Sequence, residues 1–343
     1  MLMWISIALP AIFTCALLYV LPHLSRRTQF FAVTVPAAFR QSDEARAILR
    51  RYRYQVTVHC VLGLCGVVFV VTHGPQNWLV LPLLWPVAGS LAAVALAHRT
   101  ALRYAAPPIA VRVASLAPRP RSLPGGPLVW AGPFAILAAA AVYIGLHWSQ
   151  IPARYPSHWG LDGRPNGWAV RSLFGVYQPL LIGILNCLLM LFLVWQIVTN
   201  SRGSVTTRAL VTRLLLALSY FMAGLFGWLT AGLPLGHGEP NAAMLGIFFI
   251  APLILIAAVI FFGMFAKDEP EPDADSPTAS AGDNSLDSNW KAGLFYFNPD
   301  DPALFVEKRI GIGYSLNFGN LKAWIFLGVI LLIPLMGLLM RKL

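Results

Sequence analysis

The chain has 343 residues, 57% hydrophobic and only 11% charged, well below the roughly 25% charge of an ordinary soluble domain. About eight apolar runs approach the ~20 residues that a membrane-spanning helix needs, and no aqueous core could absorb them, so a water-soluble globular fold is excluded. The net charge of +11 would suggest nucleic acid in a soluble protein; here it reads as Lys and Arg gathered on cytoplasmic loops, with no nucleic-acid partner.

The expected fold class is therefore an all-α integral membrane protein. It has about eight transmembrane helices and a small cytoplasmic aromatic, β-like module before the last helix.

Residues 1–147 hold the runs Leu2–Leu21, Gln55–Val71, Trp78–Ala97 and Leu128–His147. The first has no basic residue before it and no small-residue cleavage site after it, so it reads as a retained helix rather than a signal peptide. In the basic connection His23–Tyr54, Ser42 is a helix-capping residue followed by Asp43 and Glu44, which suit the positive end of a helix. Ala45, Ile48, Leu49, Tyr52 and Val56 recur at helical spacing, with Arg46, Arg50 and Arg53 on another face. This segment either lies in the headgroup layer or extends the second span inward, and its arginines suit anionic membrane lipid. Arg99–Gly126, rich in proline and arginine, is expected to be an extended cytoplasmic loop.

Residues 148–172 interrupt the apolar pattern. From Ile151 to Trp168 the chain is dense in turn residues, aromatics and hydrogen-bonding groups, the composition of a recognition loop at a membrane surface. Its candidate binding residues are His158, Trp159, Asp162, Asn166 and Trp168. His158, Asp162 and Asn166 are spaced by fours, which on a helix would suggest a metal site. Gly160, Gly163, Pro165 and Gly167 argue against a helix, so Asp162-Gly163 and Asn166-Gly167 read as two tight turns and no metal is expected.

Residues 173–266 hold the runs Leu173–Val198, Leu210–Leu233 and Ala243–Phe265. Residues 267–288 are acidic and polar, the composition of a disordered linker. Residues 289–319 alternate aromatic and turn residues. Leu294–Phe297 and Tyr314–Phe318 read as short strands, with Asn298–Pro302 as a proline-bracketed turn rather than a calcium loop. The candidate residues of this module are Trp290, Tyr296, Asn298 and Asp301. It carries more rings than so small a unit can bury alone, so it must pack on membrane-facing loops or a partner, and the linker leaves it room to move. Residues 320–343 form the last span and a basic tail.

With the N-terminus outside, the inner segments hold 20 of the 25 basic residues, although the C-terminal tail then falls outside. All 14 carboxylates lie outside the spans, which removes the usual machinery of proton relays and cation-coupled transport. The four cysteines fall within spans and read as packing, not as a disulfide or metal framework. His59, Gln178, Asn186, Gln196, Ser219 and Thr230 are expected to make interhelical hydrogen bonds, and His147 with Trp148 reads as an interfacial anchor.

Pro152 to Trp168, with His158, Gly163 and Asn166-Gly167, resembles the loop domain of unknown function shared with SdpI-type bacterial immunity and signalling proteins. Asn289 to Gly319 is similar to a second uncharacterised bacterial module, through Trp290, Gly293, Tyr296, Asn298, Pro299, Asp301, Pro302 and Val306. The resemblance implies a bacterial plasma-membrane protein, some of whose relatives bind a secreted peptide toxin or hold a transcriptional repressor at the membrane. It carries over no catalytic residue and no cofactor. The leading expectation is a non-enzymatic sensor, immunity or binding protein with an extracellular peptide ligand and a cytoplasmic protein partner. A transporter or flippase-like protein is the alternative, and an intramembrane enzyme ranks third.

Overall fold

The structure is a computed structural model that describes residues 2–25, 28–107, 123–159, 164–200, 205–236, 242–265 and 286–340. In chain order its elements are α1 (Leu2–Val20), β1 (Gln29–Phe30), β2 (Val33–Thr34), α2 (Asp43–His73), α3 (Val80–Ala101) and α4 (Gly126–Leu146). There follow β3 (Arg154–Trp159), β4 (Pro165–Val170), α5 (Leu173–Asn200), α6 (Val205–Gly232) and α7 (Ala242–Phe265). The chain closes with β5 (Trp290–Lys291), β6 (Phe295–Tyr296), β7 (Phe305–Glu307), β8 (Tyr314–Leu316) and α8 (Leu321–Met340).

Among the described residues, five helices are long and apolar enough to cross a membrane: α2 to α6. The apolar stretches of the other three, Ala8–Leu24, Ile250–Phe262 and Leu321–Leu332, are shorter. Most of Arg99–Gly126 and of the acidic stretch 267–288 lies outside the described residues.

Contacts divide the chain into two units, one of Met1–Pro10, Pro120–Thr199 and Ala209–Phe262, the other of Ala11–Arg119, Asn200–Arg208 and Gly263–Leu343. In the second unit, the Ser42 hydroxyl accepts from Ala45 N at 3.1 Å and caps α2. The helix then runs for 31 residues without a break, so the arginine-bearing segment is an extension of the second span. Small residues let α2 and α3 approach closely. A Cβ on Gly63 would lie 2.4 Å from Pro86 Cγ, and one on Gly66 2.8 Å from Pro82 Cβ. The His59 ring lies over Gly89 and 5.7 Å from the Trp85 ring, a packing role. Tyr52, Val56, Cys60, Ala93 and Val94 form the core between these helices, joined by the turn residues Phe31 and Ala32.

That turn is unusual. β1 and β2 pair as Gln29↔Thr34 and Phe30↔Val33, leaving a two-residue loop of Phe31 and Ala32 with φ of 47° and 64°. Tight hairpins require positive φ and favour Asn-Gly, so Phe-Ala is a strained choice held by burial at 1% and 0% exposure.

In the first unit, Leu137, Leu180, Cys187 and Ala223 join α4, α5 and α6. Trp130, Val194 and Val198 make a second cluster, where the Trp130 indole donates to Pro124 O at 2.9 Å. The Tyr220 hydroxyl donates to Val129 O at 2.8 Å and ties α6 to α4. Among the described residues, the expected interhelical bonds of Asn186 and Thr230 are not formed. Asn186 Nδ2 donates to Ile182 O and Thr230 Oγ1 to Phe226 O, each one turn back on its own helix, the nearest available acceptor. Of the cysteines, Cys60 and Cys187 are buried, whereas Cys65 is exposed on α2 and packs no core.

Candidate functional site

The loop singled out in the sequence is an antiparallel hairpin of β3 and β4. Arg154 pairs with Val170, Tyr155 with Ala169, Pro156 with Trp168, His158 with Gly167 and Trp159 with Pro165, with register shifts on either side of His158. Asn166-Gly167 is therefore part of a strand rather than a tight turn: the glycine is needed for close approach, since a Cβ there would lie 2.8 Å from His158 Cβ. Asp162 and the side chain of Trp159 lie outside the described residues.

One side of the hairpin is fixed to the helix ends. Tyr155 is buried with Ile144, Ile151 and Val176, and its hydroxyl donates to Gly175 O at 2.9 Å. Burial pushes the Tyr155 phenol above its ordinary value, so it stays neutral and donating at physiological pH. Arg171 clasps the hairpin base, Nη1 to Ile151 O at 2.8 Å and backbone N to Ala153 O at 3.0 Å. Ser172 Oγ accepts from Gly175 N at 2.9 Å and caps the first turn of α5. Trp148 stacks on Tyr177 at 6.2 Å between ring centroids.

The other side is open. His158 and Asn166 are exposed and hydrogen-bonded to each other, Nδ1 to Oδ1. Trp168, two residues further along β4, is 60% exposed. An exposed indole, an imidazole and an amide on one hairpin offer stacking and directed hydrogen bonds, the chemistry of recognition.

Within the second unit the module opens on Leu286, before Asn289, and four short strands form two hairpins, β5–β6 and β7–β8. A Tyr296–Asn317 bridge joins them. Asn317, fully buried, accepts from Asn298 N at 3.0 Å and Gly319 N at 3.1 Å, and donates to Asn298 O and Asp301 O, both at 2.9 Å. Asp301 accepts from the Tyr296 hydroxyl at 3.1 Å and from Ala303 N at 3.0 Å. Asn298 Oδ1 accepts from Asp300 N at 3.1 Å. These side chains organise the turn internally. Trp290 and Tyr296 are buried against Ala303 and Val306, while Phe295 and Phe297 stay exposed.

The module is braced rather than loose. Arg309, 1% exposed, donates to Ala32 O at 2.8 Å, forms an ion pair with Asp287 and lies over the Trp290 ring at 5.7 Å. Asp287 in turn accepts from Thr34 N at 3.1 Å and Thr34 Oγ1 at 3.0 Å. His98 Nδ1, at the end of α3, donates to Phe31 O at 2.8 Å. Both carbonyls of the strained turn are thus held by buried side chains. This corrects the expectation of free movement at the linker's end, because Asp287 is bound into the brace. It also answers the packing question: the module's buried face lies on the β1–β2 turn of its own unit.

Two families of unknown function match the chain. A domain of unknown function (DUF1648) matches residues 135–184, and a family of unknown function (DUF5808) matches residues 299–324. No curated protein and no solved structure matches. The DUF1648 match covers the second half of α4, the hairpin and the first half of α5, so the hairpin with its two helices is the matched unit. The DUF5808 match covers the Asp301 turn, β7, β8 and the start of α8. Both fit an uncharacterised membrane protein family. Sequence reasoning missed Arg309, Asp287, His98 and Asn317. No local signal sets Arg309 apart, because Glu307 and Lys308 precede it and Lys291, Asp300 and Asp301 lie in the same module.

Proposed function

We propose that this chain is a bacterial plasma-membrane protein of about eight spans that acts as a sensor, immunity or binding protein without catalysis. In this reading the N-terminus and the β3–β4 hairpin face outside, and the module faces the cytoplasm with the basic loops. The observation that carries it is that the hairpin is anchored through buried Tyr155 and Ile151 while His158, Asn166 and Trp168 stay exposed. A recognition surface needs that combination of rigid support and exposed aromatic and hydrogen-bonding groups. The resemblance of this loop to SdpI-type proteins supports a secreted peptide as the ligand. Exposed Phe295 and Phe297 supply the inner contact for a cytoplasmic protein.

A photo-crosslinking residue at Trp168 tests the reading in intact cells. An adduct with a secreted peptide is expected at Trp168 and not at Leu128, an exposed residue at the opposite end of α4. Absence of any adduct, together with substrate-dependent flux in proteoliposomes, would replace the sensor with a transporter.

A further inference from the structure

We infer that the junction of α1 and α2 carries a binding site for an anionic phosphoryl group, formed by Arg53, Arg40, His23 and Ser25. Arg53 lies two residues before the apolar run that begins at Gln55, the depth at which a spanning helix meets headgroups. The two helices are pinned there by the Tyr52 hydroxyl, which donates to Leu18 O at 2.6 Å. The Arg53 guanidinium lies 5.0 Å over the Tyr19 ring, and its Nη2 donates to His23 Nε2. His23 therefore presents a neutral acceptor nitrogen. Partial desolvation of the ring and the positive charges of Arg53 and Arg40 hold the imidazole below its ordinary value, which agrees with that assignment. Arg40 reaches the same turn and donates to Pro22 O at 3.3 Å.

Among the described residues no carboxylate pairs with Arg53. The acids next in sequence are engaged elsewhere: Asp43 with Arg46 at 2.9 Å, and Glu44 with Ser42. Among the described residues, Arg53 Nε and Ser25 Oγ have no hydrogen-bond partner, and both are sealed from solvent. A buried donor lacking an acceptor is costly, and an oxygen-rich anion satisfies several at once. A phosphoryl group has oxygens enough for two guanidiniums and a hydroxyl, and the guanidinium fork matches its geometry. A phospholipid headgroup and free inorganic phosphate share this chemistry.

The test uses the full chain, delipidated in detergent and examined by native mass spectrometry with equal phosphatidylglycerol and phosphatidylcholine. A parallel titration uses inorganic phosphate alone. Preferential retention of phosphatidylglycerol is expected, reduced about tenfold or more by Arg53→Gln and unchanged by Arg46→Gln. Phosphatidylglycerol retention without phosphate binding assigns the site to lipid; phosphate binding with the same Arg53 dependence assigns it to the free anion as well. Arg53→Lys, which keeps the charge and loses the fork, should fall between. If Arg53→Gln does not fold, Arg40→Gln and Ser25→Ala carry the comparison. Equal retention of both lipids with no phosphate binding by the wild type, or variants that match it, would overturn the site.

Discussion

Arg309 sits at 1% exposure, surrounded by Asp287, the Ala32 carbonyl and the Trp290 ring. Breaking one side of a buried ion pair leaves a charge without compensation, at a cost of about 3–5 kcal/mol. Arg309→Ala removes the charge but leaves the Ala32 carbonyl and Asp287 unmatched, so a loss near the lower end of that range is expected in chemical unfolding in detergent. A change below about 1 kcal/mol would mean that the brace does not stabilise the module. His158 and Trp168 predict the opposite behaviour. Both are exposed, so His158→Ala and Trp168→Ala should shift stability by only about 0.5 kcal/mol while reducing peptide capture. Unfolding of either variant would show that these side chains pack the hairpin instead of presenting it.

At the scale of elements, two hairpins hold residues against their backbone preferences. The β5–β6 connection places Ala292 and Gly293 at φ of 54° and 72°, and Gly293 faces the buried His98 ring. Gly293→Ala sets a Cβ at 3.0 Å from that ring in a left-handed conformation and should cost about 1–2 kcal/mol or more. Ala292→Gly relieves the same kind of strain and should leave stability unchanged or raise it by up to about 1 kcal/mol. A matched pair of melting curves checks both signs; equal destabilisation by the two variants would contradict the argument. The β1–β2 turn follows the same logic. Nothing in Phe31-Ala32 announces a hairpin, because its conformation is imposed by the core beneath it and by His98 and Arg309 on its carbonyls.

For the whole molecule, the decisive prediction is sidedness. The basic loops, the β1–β2 turn and the module belong together at the inner face if Lys and Arg set the orientation. A cysteine at exposed Ser157 should react with an impermeant thiol reagent in intact cells, above the background of the parent chain. One at exposed Asp300 should react only after permeabilisation. The reverse pattern would invert the protein and remove the hairpin from extracellular ligands.

The amino-acid sequence alone determined the membrane class, the helical runs, the Ser42 cap and the two polar segments that interrupt the runs. Each of these depends on local composition or periodicity, which a bilayer reads directly. It also picked out His158, Asn166 and Trp168, since turn-rich aromatic stretches stand out against apolar helix. The tertiary structure decided that Asn166-Gly167 is strand, because pairing with His158 is a contact between two strands and not a property of the dipeptide. It alone brought Asp287, Arg309, His98 and the Phe31-Ala32 turn together, across separations of up to 277 residues. Sequence patterns carry periodicity over a few turns. A buried charge finds its partners only when helices and hairpins pack, and that packing holds the module on its helix pair.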